Sequence, residues 1–404
     1  MKIVHLVGFY MPELGYQENY VAEEHSRMGH DVHVITSNLP YPFLNITKIM
    51  REAGAKNFSG KFSVGTKKIN GVKIHRLKSK ILYSDLILIK GLKEKLEEIK
   101  PDIVFAHESR QSPPYFAAKM KNKIGYTLVT DQHDFHHEIP GHSFLKKILR
   151  ELDYFFLRNC MVKYTLKKSD AVIAVTEQTS KYLREKLGMN GKRINVVNLG
   201  VDMPSFKKSE SKRNKIREKY GVERNEVLFG FAGTIVRRKG VEILLDAFSK
   251  MGKNNTENAK LMIVGNGENS YMNEIKKMAE KLCISEKVIF TGFIPKAELS
   301  DYFSAFDAGV WPGNNSVVIM EAMACELPVI MVKLQLSHLV RYGNGFSFSA
   351  GDTKNLTNAM IKLMNPLLRK KMGRNSRKAV ADSYSYKKIA EQFMEIAVNA
   401  RKKK

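Results

Sequence analysis

The chain has 404 residues, 43% of them hydrophobic, with 67 Lys and Arg against 41 Asp and Glu for a net charge of +26. That length predicts two domains, and the apolar content suits a large core, which excludes a disordered or fibrous class. Cys160, Cys283 and Cys325 are too few and too widely spaced for a disulfide or zinc framework, so a reducing compartment is expected.

The longest apolar runs are of strand length, short of the roughly 18 residues a membrane-spanning helix needs. The positive charge is spread over both halves. Anionic lipid head groups, a nucleoside diphosphate or nucleic acid would each fit it, as would a generic basic surface. Nucleic acid fits least, because no helix-turn-helix, zinc-finger or base-stacking motif is present.

In chain order, KIVHLVGF over 2–9 predicts a first strand rather than a secretory leader. Pro12 and Gly15 break it, a helix follows over 18–28, and 32–36 is the next strand, the opening of a doubly wound parallel sheet. No G-x-G-x-x-G follows the first strand, so a dinucleotide site is not indicated. Residues 41–80 are polar and basic, with a short amphipathic helix near the start, a loop, the turn signal Asn70-Gly71 and a strand over 72–77. A helix is expected over 84–99, a strand over 101–107 ending in His107, a helix over 114–121 and a strand over 126–130 that runs into DQHDFHHE.

Strands of such sheets end at the ligand crevice, which puts His107 and His133 at its lip. His133, Asp134, His136, His137 and Glu138 are also metal-ligand types, but no second cluster fixes a geometry, and a polar helix start is the plainer reading. Residues 143–168 alternate aromatic and basic side chains at helical spacing. That pattern suits an apolar face packed on the sheet, or one end resting on an anionic membrane. A strand over 171–175, Thr176 as N-cap, a helix to 187 and a strand over 194–197 complete the first domain.

Residues 203–225 read as a charged linker with a short helix. The pattern then restarts: strands over 227–232, 260–264 and 288–290 alternate with helices over 241–251, 270–282 and 296–306. The focal stretch is GVWPGNNSVVIMEAMACELPVI, residues 309–330. It predicts a strand to 311, a tight loop, Ser316 as N-cap, a helix over 317–324 and a strand over 328–332. Amides at that helix start favour a phosphate. Glu321, an acid in an apolar run, needs a partner, which a ribose diol would supply. An ordinary βαβ crossover with Glu321 facing solvent fits the pattern too.

EAMACELPVI resembles the EAMAxGxPVI signature of retaining nucleotide-sugar glycosyltransferases of GT-B architecture, glycosyltransferase family 4. DIVFAHE, LVTDQHD, SDAVIAVTE and VGNGE are similar to further motifs of that family. The resemblance implies an α/β fold of two Rossmann-like doubly wound parallel-sheet domains facing a cleft. It implies that Glu321 holds the donor ribose, that amides at Ser316, Val317 and Val318 hold the donor phosphate, and that Gly15, Gly233, Gly265 and Gly267 lie in loops beside the nucleotide. Lys239 matches a lysine that neutralises the leaving diphosphate, and the backbone of Phe293 and Ile294 would hold the base. His133 would lie near the transferred sugar.

Two charged positions of the family differ. Gly313 stands where an acid contacts the sugar, with Asn314 or Asn315 as a neutral substitute. Thr234 stands where an arginine is usual, with Arg237 or Arg238 able to supply the charge. Glu326 replaces the family's glycine, so a differently built turn is expected there.

The expected domains are 1–202 for the acceptor, 203–383 for the donor nucleotide sugar, and 384–404 as a helix crossing back plus a basic tail. The expected function is transfer of a sugar from a UDP- or GDP-sugar to a glycan or lipid-linked acceptor in cell-surface polysaccharide or glycoconjugate synthesis. It would need no metal or other cofactor, and would take place in the cytoplasm, with the inner face of the membrane as a site of peripheral contact. A GT-B-fold protein that binds a nucleotide sugar or a partner without transfer is the alternative.

Overall fold

The computed structural model describes residues 1–42, 46–52, 57–83, 86–133, 158–314, 316–334 and 336–403. Asn315 and the stretch 134–157, with Asp134, His136, His137, Glu138 and most of the basic amphipathic segment, lie outside the described residues. The chain divides into two compact units, Met1–Leu199 with Tyr386–Lys404, and Gly200–Ser385.

The first unit runs β1 (Lys2–Leu6), α1 (Gln17–Arg27), β2 (Asp31–Ser37), α2 (Ile46–Glu52), β3 (Gly65–Ile69), β4 (Val72–Leu77), β5 (Ser79–Tyr83) and β6 (Leu86–Ile89). It continues with α3 (Leu92–Ile99), β7 (Ile103–Ala106), α4 (Ser112–Ile124), β8 (Thr127–Gln132), α5 (Asn159–Lys168), β9 (Ala171–Ala174), α6 (Glu177–Glu185) and β10 (Ile194–Val196).

Its main sheet has the order β10-β9-β8-β7-β1-β2-β4-β3, parallel except for β3. The strands are apolar on both faces because helices cover both. Ile3, Val7, Val34 and Phe105 belong to one core, and Val4, Leu6, Ile35 and Val104 to the other. Thr176 caps α6 as expected, accepting from the Thr179 amide at 3.0 Å.

Two segments differ from the sequence expectation. Residues 65–69, read as loop, form the exposed edge strand β3, joined to β4 by Asn70 and Gly71. Both of these take positive φ (49° and 85°), as a tight hairpin turn requires. The helix expected from 84 starts only at Leu92, behind Gly91 at φ 79°. The apolar run Leu86–Ile89 instead pairs with β5 as a hairpin.

The second unit comprises α7 (Glu210–Lys219), β11 (Val227–Ala232), α8 (Val241–Ser249), α9 (Lys253–Glu257), β12 (Ala259–Val264), α10 (Asn269–Lys281), β13 (Val288–Gly292), α11 (Leu299–Ala305) and β14 (Ala308–Trp311). It ends with α12 (Val318–Ala324), β15 (Val329–Val332), β16 (Gly345–Phe348), α13 (Thr353–Lys362) and α14 (Pro366–Ser383). Its sheet is wholly parallel, β13-β12-β11-β14-β15-β16, with one strand more than the five expected. The order reverses between β11 and β14, a topological switch point, where α/β sheets bind ligands at the carboxyl ends of the strands.

The charged segment read as a linker with a short helix forms α7 of this unit. Buried Arg217 of α7 donates to the carbonyls of Ala305 (3.1 Å), Glu223 (2.5 Å) and Glu226 (2.6 Å) and pairs with Asp307 at 3.1 Å. Arg213 reaches the other Asp307 oxygen at 2.8 Å, and Asp307 also accepts from the Leu228 amide at 2.8 Å. The final helix, α15 (Tyr386–Lys402), packs on α1 within the first unit. No helix among the described residues is long and apolar enough to cross a membrane.

Candidate active site

The switch point of the second sheet is formed by two loops, after β11 and after β14. They are held together through their backbones. Gly313 packs on the Arg238–Lys239 peptide so closely that a Cβ there would lie 2.6 Å from the Lys239 Cα. The Asn314 amide donates to the Arg238 carbonyl at 2.8 Å, and Lys239 Nζ donates to the Asn314 carbonyl at 2.7 Å.

Burial, with Arg238 beside it, draws the Lys239 ammonium pKa down. No carboxylate forms an ion pair with either cation among the described residues. Two neighbouring like charges without an acid are an arrangement that an anion stabilises. Arg237 is placed differently: its guanidinium grips Glu274 at 2.6 and 3.1 Å and lies over the Tyr271 ring at 5.0 Å. Of the two arginines considered for the missing charge, Arg237 is thus engaged with Glu274, while Arg238 has no acid partner among the described residues. Thr234 is exposed on the same loop.

Gly233, Gly265 and Gly267 have a structural reason to be glycine. A Cβ on Gly265 would overlap the Gly233 carbonyl, and one on Gly267 the Ile235 carbonyl, because the loops after β11 and β12 lie backbone to backbone. Gly233 itself has φ 151°. Beyond β13, Phe293 is 64% exposed, and Ile294 is half-buried.

The helix after Gly313 starts later than expected. Val317 is its N-cap residue and Val318 its first, with no side-chain cap, so Ser316 is not the capping side chain. Ser316 instead supplies a backbone carbonyl to the Ile319 amide at 3.1 Å. The alternative of Glu321 facing solvent does not hold: it is 8% exposed, and burial raises its carboxyl pKa even with Lys296 Nζ 3.7 Å away. Lys296, which the sequence reading passed over, is its partner here. Glu326 takes φ 61°, so the turn before Pro328 keeps the left-handed conformation that suits glycine although a glutamate stands there. The expectation of a differently built turn is corrected accordingly.

In the first unit the sheet order reverses between β1 and β7. Gly15 ends the 3-10 turn after β1 at φ 62°, where a Cβ would crowd the Tyr20 hydroxyl. His107 is not at a lip. It is 2% exposed, with Nδ1 2.6 Å from Asp131 Oδ2, and the Glu108 amide donates to the other Asp131 oxygen at 3.0 Å. His107 and His133 hold the Asp131 carboxyl well below its usual range although it is buried. His133 is the open member, its side chain about a quarter exposed (24%), with Nε2 3.6 Å from Asp131. Asp131, Glu108 and Glu18 outweigh burial and push its pKa up to about 9.

Two doubly wound sheets, one with a cationic loop pair at its switch point and a buried acid on the helix that follows, define an α/β protein of two similar units whose second sheet suits an anionic ligand. Residues 19–203 match the family described as Glycosyltransferase Family 4, and residues 212–379 match Glycosyl transferases group 1. An uncharacterised glycosyltransferase of Methanocaldococcus jannaschii is 22% identical over 98% of both chains. The alpha-monoglucosyldiacylglycerol synthase of Streptococcus pneumoniae is 27% identical over 54% of this chain and 47% of its own length, so the chain spans about half of that relative. HepE of Anabaena, solved in complex with UDP, shares the fold at a TM-score of 0.68 and 18% identity, over 99% of this chain and 100% of that one. The chain belongs to glycosyltransferase family 4, the group 1 glycosyltransferases, and has the GT-B fold.

Proposed function

We propose that this glycosyltransferase is a retaining enzyme that moves a sugar from a UDP- or GDP-sugar to a glycan or lipid-linked acceptor, in the synthesis of cell-surface polysaccharide or glycoconjugate. The second unit takes the nucleoside diphosphate and the first takes the acceptor. The reading rests on the docking of Gly313 and Asn314 against Arg238 and Lys239, which gathers two acid-free cations at a switch point.

As the anomeric bond breaks, negative charge builds on the leaving diphosphate. Lys239, Arg238 and the backbone of Ser316, Val317 and Val318 stabilise that charge where it develops. Glu321 takes the ribose hydroxyls, the backbone of Phe293 and Ile294 takes the base, and His133 orients a sugar hydroxyl. Charge neutralisation by Lys239 and Arg238 makes a metal unnecessary. The UDP in HepE and the lipid product named for the streptococcal relative support UDP-sugars and lipid-linked acceptors as the first to try. The net charge of +26 supports work at an anionic membrane face on the cytoplasmic side.

A panel of nucleotide sugars screened by thermal shift identifies the donor, and labelled-sugar transfer then measures turnover. Lys239→Ala is expected to lower kcat about 10²–10³-fold, as for loss of a preorganised charge-stabilising group. Unchanged turnover would refute the phosphate role. The lack of room for an acid at Gly313 favours a second reading, a binder without transfer. Calorimetry showing UDP or GDP bound, with no transfer and no donor hydrolysis, would select it.

A further inference from the structure

Behind His133 a string of three buried histidines crosses the first unit. It begins at the Ala390 carbonyl on α15, 3.1 Å from His25 Nε2. His25 Nδ1 lies 3.0 Å from His5 Nε2, His5 Nδ1 lies 2.9 Å from His107 Nε2, and His107 Nδ1 lies 2.6 Å from Asp131.

A carbonyl only accepts, so His25 must donate to it. Four hydrogen bonds in a row need four protons, while three neutral rings carry three. The fourth proton is therefore shared by the string and its terminal carboxylate. The carboxylate decides where it sits: beside Asp131, His107 carries both ring protons, and His5 and His25 stay neutral with their protons on Nε2.

We infer that Asp131 is the positioning residue of the first unit's site, kept as a carboxylate by this string so that it fixes the ring orientation and protonation of His133. The inference rests on the role proposed for His133 above. Geometry carries it: Asp131 is 2% exposed and touches His107, the Glu108 amide and, at 3.6 Å, His133. Among the described residues, the charged groups facing His133 are Asp131, Glu108 and Glu18. Among the described residues, those facing His107 are Asp131, Glu18, His133 and His5, and those facing His25 are His5, His30 and His107. The directions agree: His107 and His133 are pushed up, His5 and His25 down.

The test is nitrogen-15 histidine NMR on the whole chain, with Asp131→Asn and with His133→Gln for assignment, alongside pH profiles of donor turnover. The expected result at pH 7 is an Nε2–H tautomer for His5 and His25, and two ring protons on His107. The His133 pKa falls by about one to three units in Asp131→Asn, and the alkaline limb of the rate profile falls with it. His25→Gln, whose amide can still donate to Ala390 and accept from His5, keeps the limb in place. A neutral His107 in the natural chain, or a His133 pKa unmoved by Asp131→Asn in an active enzyme, would overturn the inference. A chain that turns over no donor counts against the proposed function instead, and the NMR result is read independently of it.

Discussion

Gly313 lies against Lys239 so closely that a Cβ on the glycine would stand 2.6 Å from the lysine Cα. The site the resembling pattern gives to an acid therefore has no room for any side chain. Gly313→Ala is expected to pry the two loops apart, break the 2.7 Å bond from Lys239 to Asn314, and raise the donor KM about tenfold or more, the effect of roughly 1.4 kcal/mol. Gly313→Glu should do the same rather than improve the enzyme. Donor KM and UDP calorimetry measure both. An unchanged KM for Gly313→Ala would mean that the loops work independently.

Neighbouring arginines should behave differently. Arg237 is in an exposed pair with Glu274, and such pairs contribute about 0–1 kcal/mol. Arg237→Ala should leave kcat within a few-fold, while Arg238→Ala lowers it about 10-fold or more. Equal losses would show that both face the diphosphate.

The second unit depends on Asp307. Removing it leaves Arg217, which is 4% exposed, buried without its countercharge. Asp307→Ala should destabilise that unit by about 3–5 kcal/mol, read as a lowered denaturant midpoint. The cost should persist in high salt, because the pair is shielded from solvent ions.

Glu326→Gly should stabilise. A left-handed backbone costs a non-glycine residue roughly 1–2 kcal/mol, partly offset by the entropy glycine loses on folding. The expected gain is about 0.5–1 kcal/mol, seen as a raised unfolding midpoint.

The histidine string makes stability depend on pH. His25 is held neutral by burial, with its pKa lowered to about 3 from an ordinary 6.5, and His5 is lowered too. The unfolded chain takes up protons that the folded one refuses, so their contribution is complete above pH 6.5 and is lost as pH falls toward 3. His133, raised to about 9, acts in reverse: its contribution is complete below 6.5 and is lost as pH rises through 9. Urea midpoints of the first unit should therefore peak near neutrality, with the acid side flattened in His25→Gln.

Periodicity and punctuation in the amino-acid order determined the two parallel sheets, because strands buried on both faces need near-continuous apolar runs such as VLFGFA. They also marked the focal loop, since Pro312 and Gly313 cannot continue a strand. Several features were decided only by pairing and packing between elements. Leu86–Ile89 became a strand because β5 was there to pair with it. Residues 210–219, placed in the second domain from the sequence, are held there by Asp307, far along the chain, which meets Arg213 and Arg217. His5, His25, His107 and Asp131 come from separate elements and become a hydrogen-bonded string only when β1, β7, β8, α1 and α15 assemble. A local pattern reports what each segment can bury, whereas partners brought together across the fold decide which charge, proton or carbonyl meets it there.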